Sequence, residues 1–367
     1  MTFIPVFEYL SQYKQIETEI LSAIKGTLNS GNLILGKQVQ TFERSFTEYL
    51  GGTGEAVAVN SGTDALAVSL MACGVGHGSE VITVSNTAVP TVSAIRMVGA
   101  MPVFCDVDEN TALMDINQLK SCITDKTRAV IPVHLYGNVV DVERIKKVVQ
   151  GYEIKIIEDC AQAHGARYKG EGVGSFGDFG AFSFYPGKNL GAYGDGGAIV
   201  SQDASFLQRC QMIANHGRLE KFDHEIEGRN SRLDGLQAAI LSVKLRHLAQ
   251  WIDRRNLIAN RYRAGLSGID GLVLPNQEVE VRHAYHLFVI RSPQRGSLQA
   301  YLKENGIHTG IHYPTALPKL RAYQPLGQDK EAMIANQMDQ ELLSLPMGDH
   351  LEDAEVDLVI EKLRNYF

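Results

Sequence analysis

Cysteine is scarce and scattered in this chain: the five in 367 residues, Cys73, Cys105, Cys122, Cys160 and Cys210, form no C-x-x-C pair. Such spacing argues against a zinc ribbon or an iron–sulfur ligand run, so free buried thiols and no metal are expected. A basic excess is also missing. Against 42 Asp+Glu stand 35 Lys+Arg, for a net charge of -7, which leaves no broad surface for nucleic acid. No apolar run reaches membrane-spanning length, and Met1-Thr-Phe-Ile-Pro-Val has neither the basic start nor the apolar core of a secretory signal. No membrane partner is therefore expected, and the location is read as cytoplasmic. Internal repeats and low-complexity tracts are absent as well.

What is present is the composition of an ordinary globular chain, 44% hydrophobic and 21% charged. The length suits one large domain with a smaller one. Between about residues 55 and 200, short runs rich in Val, Ile and Phe alternate with helix-like stretches: 56–60, 80–84, 101–104, 129–133, 154–157, 180–184 and 197–200. This rhythm predicts an α/β architecture with a mainly parallel central sheet covered on both faces. Leu233, Leu236, Ile240, Val243 and Trp251 mark one face of a long helix over about 232–251 that joins the domains. The expected division is a large α/β domain over 1–250, its N-terminal helix and glycine turn (30–36) included, and a small α+β domain over 251–367.

The chemistry begins at Ala181-Phe-Ser-Phe-Tyr-Pro-Gly-Lys188-Asn-Leu-Gly-Ala-Tyr-Gly-Asp-Gly-Gly197. A lysine in a glycine-rich turn among Phe182, Phe184, Tyr185 and Tyr193 is partly desolvated, and desolvation favours the neutral amine that condenses with a carbonyl. Pyridoxal phosphate is the usual carbonyl partner. Four other segments carry compatible groups. In Asn60-Ser-Gly-Thr-Asp-Ala-Leu66 the amides of Gly62, Thr63 and Asp64 at a helix start suit a phosphate, though the same residues suit a plain Asn/Ser cap. In Ile156-Ile-Glu-Asp159-Cys-Ala-Gln162-Ala-His164 a carboxylate at a strand end needs a cation, which a protonated pyridine nitrogen would supply. Glu158 and Asp159 point to opposite faces, and Asp159 is assigned to the site. Gln162 would donate to the cofactor's ring oxygen; His164 would flank the ring or sit in the core.

Ser183 points away from Phe182 and Phe184, so its hydroxyl is free to meet the phosphate. Arg229-Asn230-Ser231-Arg232 at the entry to the long helix suits phosphate or carboxylate, or merely a solvated helix start. Gly310-Ile-His312-Tyr313-Pro314 places His312 and Tyr313 near a substrate or at a strand edge.

Together these five segments, in this order and over nearly the whole chain, resemble the DegT/DnrJ/EryC1/StrS aminotransferases. The resemblance implies a fold-type-I enzyme dependent on pyridoxal phosphate and acting on nucleotide-activated keto sugars. It further implies that Lys188 holds the cofactor and shuttles the proton, that Asp159 pairs with the pyridinium nitrogen, and that Gln162 meets the ring hydroxyl. Gly62, Thr63, Asp64 and Ser183 would hold the phosphate. Asn230 would reach the phosphate of a neighbouring subunit, which implies a homodimer with shared sites. His312 and Tyr313 would lie near the sugar nucleotide, and Arg229 or Arg232 near the carboxylate of a glutamate or glutamine donor.

The wording around Lys188 resembles members that aminate C3 of a dTDP-linked 3-keto-6-deoxyhexose more than those acting at C4. Relatives that dehydrate typically carry histidine in place of this lysine, and a non-catalytic regulator is the remaining alternative. One position departs from the family pattern. Where an aromatic commonly stacks on the pyridine ring, Ser85-Asn-Thr87-Ala88-Val-Pro90 offers Ala88, which cannot stack.

Overall fold

The computed structural model describes residues 3–52, 54–276 and 278–367; Met1, Thr2, Thr53 and Gln277 lie outside it. Every apolar run named above between residues 55 and 200 forms a strand of one large sheet. These are β1 (Glu55–Val59), β2 (Glu80–Val84), β3 (Met101–Cys105), β4 (Thr127–Ile131) and β5 (Lys155–Asp159). After the short pair β6 (Arg167–Tyr168) and β7 (Glu171–Gly172) come β8 (Phe179–Ser183) and β9 (Gly197–Ser201).

The order in the sheet is β1-β9-β8-β5-β4-β2-β3, and β9 alone runs against the rest. The sheet is thus mainly parallel, and six strands deliver their C-terminal ends to one edge. Register fixes what meets there: Asp159 pairs with Ala181 across β5 and β8, and Ser183 with Gly197 across β8 and β9.

Strand alternation sorts side chains between two apolar layers. Phe182 and Phe184 project toward α2 (Lys37–Leu50), where Phe46 stands 4.9 Å from Phe182 and Phe42 stands 5.2 Å from Phe184, both edge to face. Burial of each ring contributes roughly 2–3 kcal/mol, so this cluster anchors the strand that leads into the lysine turn. The opposite face, with Val57, Val59, Ala181 and Ile199, is covered by α3 (Gly62–Ala72) and the helix Ala204–Ala214. α1 (Leu10–Ser30) closes at Gly31, whose φ of 69° is the left-handed conformation that ends a helix.

Glu43 illustrates what burial in this layer costs. Its Oε1 accepts the Ala58 N–H at 2.8 Å on the sheet's edge strand, and burial pushes its carboxyl up to about 7. The unfolded chain would release this proton at the usual carboxylate pH, so the folded state binds more protons between about pH 4.5 and 7. Stability contributed by the site is therefore lost as pH rises through that window. Glu43→Gln keeps the acceptor without the charge and is expected to stabilise the protein at pH 8 on the order of 2 kcal/mol, with little effect at pH 4.5. Urea unfolding at the two pH values checks this, and parallel curves would contradict it.

The long helix expected over 232–251 runs Gly235–Leu266. Its apolar face continues through Ile252, Ile258, Ala259, Tyr262 and Leu266, past Arg254 and Arg255. Arg255 is nevertheless buried, because its guanidinium donates to the carbonyls of Tyr285 (2.9 Å), His286 (3.3 Å) and Met347 (3.3 Å).

Beyond the helix, β10 (Val281–Arg282) pairs with β6, and β11 (Phe288–Arg291) pairs antiparallel with β12 (Leu342–Leu345). Helices Arg295–Glu304 and Asp353–Tyr366 pack with them around Tyr262, Phe288, Leu302 and Leu363. Ile4 joins this second core and bridges Ile307, so the chain's start is tied to its last third.

Candidate active site

The ends of β2, β5 and β8 and the start of α3 enclose a cavity of about 360 Å³. Its lining brings together Gly62, Thr63, Asp159, Gln162, Ser183 and Lys188 from three distant segments. Burial lowers the Lys188 ammonium to about 8, and the charge of Asp159 opposes that shift without cancelling it. Asp159 is moved the other way, because burial raises its carboxyl. Against this, Oδ1 accepts the Ala161 N–H at 3.1 Å and Oδ2 accepts the Thr91 hydroxyl at 2.8 Å, and the Lys188 charge also favours the carboxylate.

Glu158 faces away from this cavity. It accepts bonds from His134 (2.9 Å) and the amides of Gly174 (2.9 Å), Phe176 (2.8 Å) and Gly177 (2.6 Å). Val140 N–H donates to His134 Nδ1 at 3.1 Å, which leaves the proton on Nε2 to be given to Glu158. Strand alternation thus separates a structural carboxylate from the one in the site.

At the other end, Ser61 caps α3 by accepting the Asp64 N–H at 3.1 Å, so the amides of Gly62 and Thr63 open the helix N-terminus. A Cβ on Gly62 would lie 2.5 Å from Ser183 Cβ, so only glycine lets the helix close on β8 here. The Asp64 side chain is buried outside the cavity lining and pairs with Arg229 at 3.0 Å.

Gln162 accepts the Tyr136 N–H at 2.7 Å and donates to the Tyr313 hydroxyl at 2.9 Å, so Tyr313 touches the site through it. Burial pushes Tyr313 up to about 12. His312 Nδ1 lies 2.8 Å from Ser344 Oγ, and burial with the Lys188 charge lowers its ring below the usual histidine range. His164 packs against Phe182 and Phe184 in the core, outside the cavity lining. Asn230 is exposed, and neither it nor Arg229 nor Arg232 lines this cavity.

Residues 14–364 match the model of the DegT/DnrJ/EryC1/StrS aminotransferase family. The chain belongs to this family. It is 42% identical over 363 residues to the dTDP-3-amino-3,6-dideoxy-alpha-D-galactopyranose transaminase of Aneurinibacillus thermoaerophilus, covering 99% of each chain. It is 39% identical to the dTDP-3-amino-3,4,6-trideoxy-alpha-D-glucose transaminase of Streptomyces venezuelae, over 99% of this chain and 96% of that one. A crystal structure of S. venezuelae DesV in complex with a ketimine intermediate superposes with a TM-score of 0.97 at 38% identity, covering 100% of this chain and 99% of the other.

DegT/DnrJ/EryC1/StrS aminotransferases depend on pyridoxal phosphate. The cavity fits that group chemically: helix-start amides and a serine hydroxyl for a phosphate, a buried carboxylate for a ring cation, and a depressed lysine for an aldehyde. Sequence reasoning missed Thr91, Tyr136 and Asp195. Asp195 lines the cavity, Thr91 holds Asp159, and the Tyr136 backbone holds Gln162. Thr91 lies in a helix start seven residues after β2, where a threonine signals only ordinary capping chemistry.

Proposed function

We propose that this enzyme transfers an amino group from glutamate or glutamine to C3 of a nucleotide-linked 3-keto-6-deoxyhexose, with dTDP as the nucleotide. The observation that carries the reading is the depressed Lys188 amine sharing one cavity with a buried Asp159. Both relatives above are named for 3-amino sugars carried on dTDP, which supports the position and the nucleotide. Bound pyridoxal phosphate supplies a carbonyl for the donor amine and an electron sink.

The chain's residues do the rest. Lys188 removes the proton from the donor's α-carbon and later delivers one to the sugar carbon. Asp159, held by Thr91 and Ala161, keeps a carboxylate opposite the ring nitrogen. Gly62, Thr63 and Ser183 bind the phosphate, with Asp64 organising the same helix start through Arg229. Gln162 offers its second N–H to the ring oxygen, and Tyr313 and His312 border the sugar nucleotide.

The working unit is a cytoplasmic homodimer with shared sites. α1 and the turn after it expose Leu21 (53%), Leu28 (53%), Leu33 (43%), Ile34 (46%) and Leu35 (45%). Beside them an apolar groove of about 590 Å³ runs from α1 to Pro186 and Tyr193 in the lysine turn. An apolar surface of this extent next to the catalytic turn supports a second copy seated on it. Asn230, exposed and outside its own cavity, then reaches the partner's phosphate, flanked by Arg229 and Arg232 for the donor carboxylate.

Asn230→Ala is expected to weaken pyridoxal phosphate binding roughly tenfold, the loss of one hydrogen bond to a charged group. Fluorescence titration of the cofactor measures it, and a fully active monomer in sedimentation would overturn the shared site. The function itself is tested by mass spectrometry of keto sugar nucleotides incubated with glutamate. Amination at C3 is expected; amination at C4 alone, or none with any keto sugar nucleotide, refutes the assignment.

A further inference from the structure

The long helix contains a lysine in the wrong place for a solvated charge. Lys244 is 1% exposed, and burial lowers its ammonium to about 8. Its Nζ donates to the Gly191 carbonyl at 2.6 Å and lies 4.9 Å above the Tyr193 ring. Two turns earlier on the same helix face, Gln237 accepts the Tyr193 N–H at 2.9 Å and donates to the Tyr193 carbonyl at 3.3 Å. Both side chains therefore grip the far limb of the turn that carries Lys188.

The near limb is tied to β8 and to itself. Lys188 N–H donates to the Tyr185 carbonyl at 2.9 Å, and Ala192 N–H to the Phe184 carbonyl at 2.8 Å. A Cβ on Gly191 would stand 2.4 Å from the Pro186 carbonyl oxygen, so the two limbs touch and movement of one moves the other. Asn189 adds one bond to the Ala284 carbonyl at 3.0 Å.

An apolar residue of similar length at 244 would avoid the desolvation of an ammonium, so retention of lysine calls for a compensating role. We propose that Lys244, assisted by Gln237, is a positioning residue that clamps the Tyr185–Tyr193 turn and so keeps the Lys188 amine in its desolvated place. The inference rests on Lys188 being the reacting amine, but its test does not.

Cofactor-free protein is labelled with a limiting amine-specific acylating reagent across pH 6–11, and modification of Lys188 is read by peptide mass spectrometry. In the native chain the midpoint is expected near 8. In Lys244→Met water gains access to the turn, and the midpoint is expected to rise by about one pH unit, since burial is what depresses it. Lys244→Arg, which keeps donors and charge, should fall between the two. A folded Lys244→Met with the native midpoint overturns the proposal. If that variant does not fold, Gln237→Ala decides: a midpoint raised by about half a pH unit supports the clamp, and an unchanged one removes it. Failure of Lys188 as the reacting amine would show separately, as undiminished amino transfer in Lys188→Ala, with the labelling midpoints still moved.

Discussion

Replacing Lys188 with alanine is expected to lower amino transfer by at least about 10⁴-fold, because in the proposed mechanism one side chain supplies both the cofactor's attachment and the proton relay. With the amine at about 8, roughly a quarter of molecules carry it neutral at pH 7.5, against about 0.1% for an ordinary lysine. The neutral fraction falls about tenfold per pH unit well below 8, so uptake of pyridoxal phosphate by cofactor-free protein should speed up with pH and level off above 8.

Lys188→Arg should be as inactive as the alanine variant, since a guanidinium stays charged at every working pH. Misfolding is not the expected cause. The folded amine titrates below the unfolded value, so its burial costs stability below pH 8 and the cost fades between 8 and about 10.5. Donor-dependent amination of a keto sugar nucleotide measures the effect, with melting curves of the cofactor-free variants as the control. Turnover within tenfold of the native rate would remove Lys188 from the reaction.

How far the site could be read in advance follows from how local each signal is. The seven-strand sheet was legible because each buried strand is a short Val/Ile-rich run bounded by turns. Asp159 was separable from Glu158 because a strand alternates its side chains, and the hydrogen bonds of Glu158 to His134 and Gly174 show where the other face goes. Gly62 and Lys188 announce themselves through the glycines beside them.

The supporting contacts were not legible, for a common reason. Thr91 meets Asp159 across 68 residues, Gln162 meets Tyr313 across 151, and Lys244 meets Gly191 across 53. No local pattern encodes a partner at that separation. The long helix was underestimated because its continuation past 251 carries a buried Arg255, whose three carbonyl partners are distant in sequence. His164 looked equally suited to the ring's flank and to the core, and the rings of Phe182 and Phe184 hold it in the core. Ala88 does line the cavity, so the missing aromatic leaves room there.

Asp159→Asn offers the sharper separation of charge from shape. Asparagine can still accept the Ala161 N–H through its carbonyl and can donate to the Thr91 oxygen, so the two bonds that orient Asp159 survive. Only the charge is lost. A cation left opposite a neutral amide in a buried site forfeits about 3–5 kcal/mol, which corresponds to a fall in amino transfer of about 10³-fold. Stability should move the other way. Burial raises the Asp159 carboxyl, so in the cofactor-free protein an ionised Asp159 costs folding free energy above the ordinary carboxylate pH, and the asparagine variant avoids that cost. Cofactor-free Asp159→Asn is therefore expected to melt at or above the native temperature at pH 8, with the advantage shrinking as pH falls toward 4. Asp159→Ala, which also strands the Thr91 hydroxyl and the Ala161 amide, should lose activity similarly but gain no stability. Loss of activity with a lower melting point in both variants would mean that Asp159 acts through the fold. Activity within tenfold of native in Asp159→Asn would mean that no cation is met there.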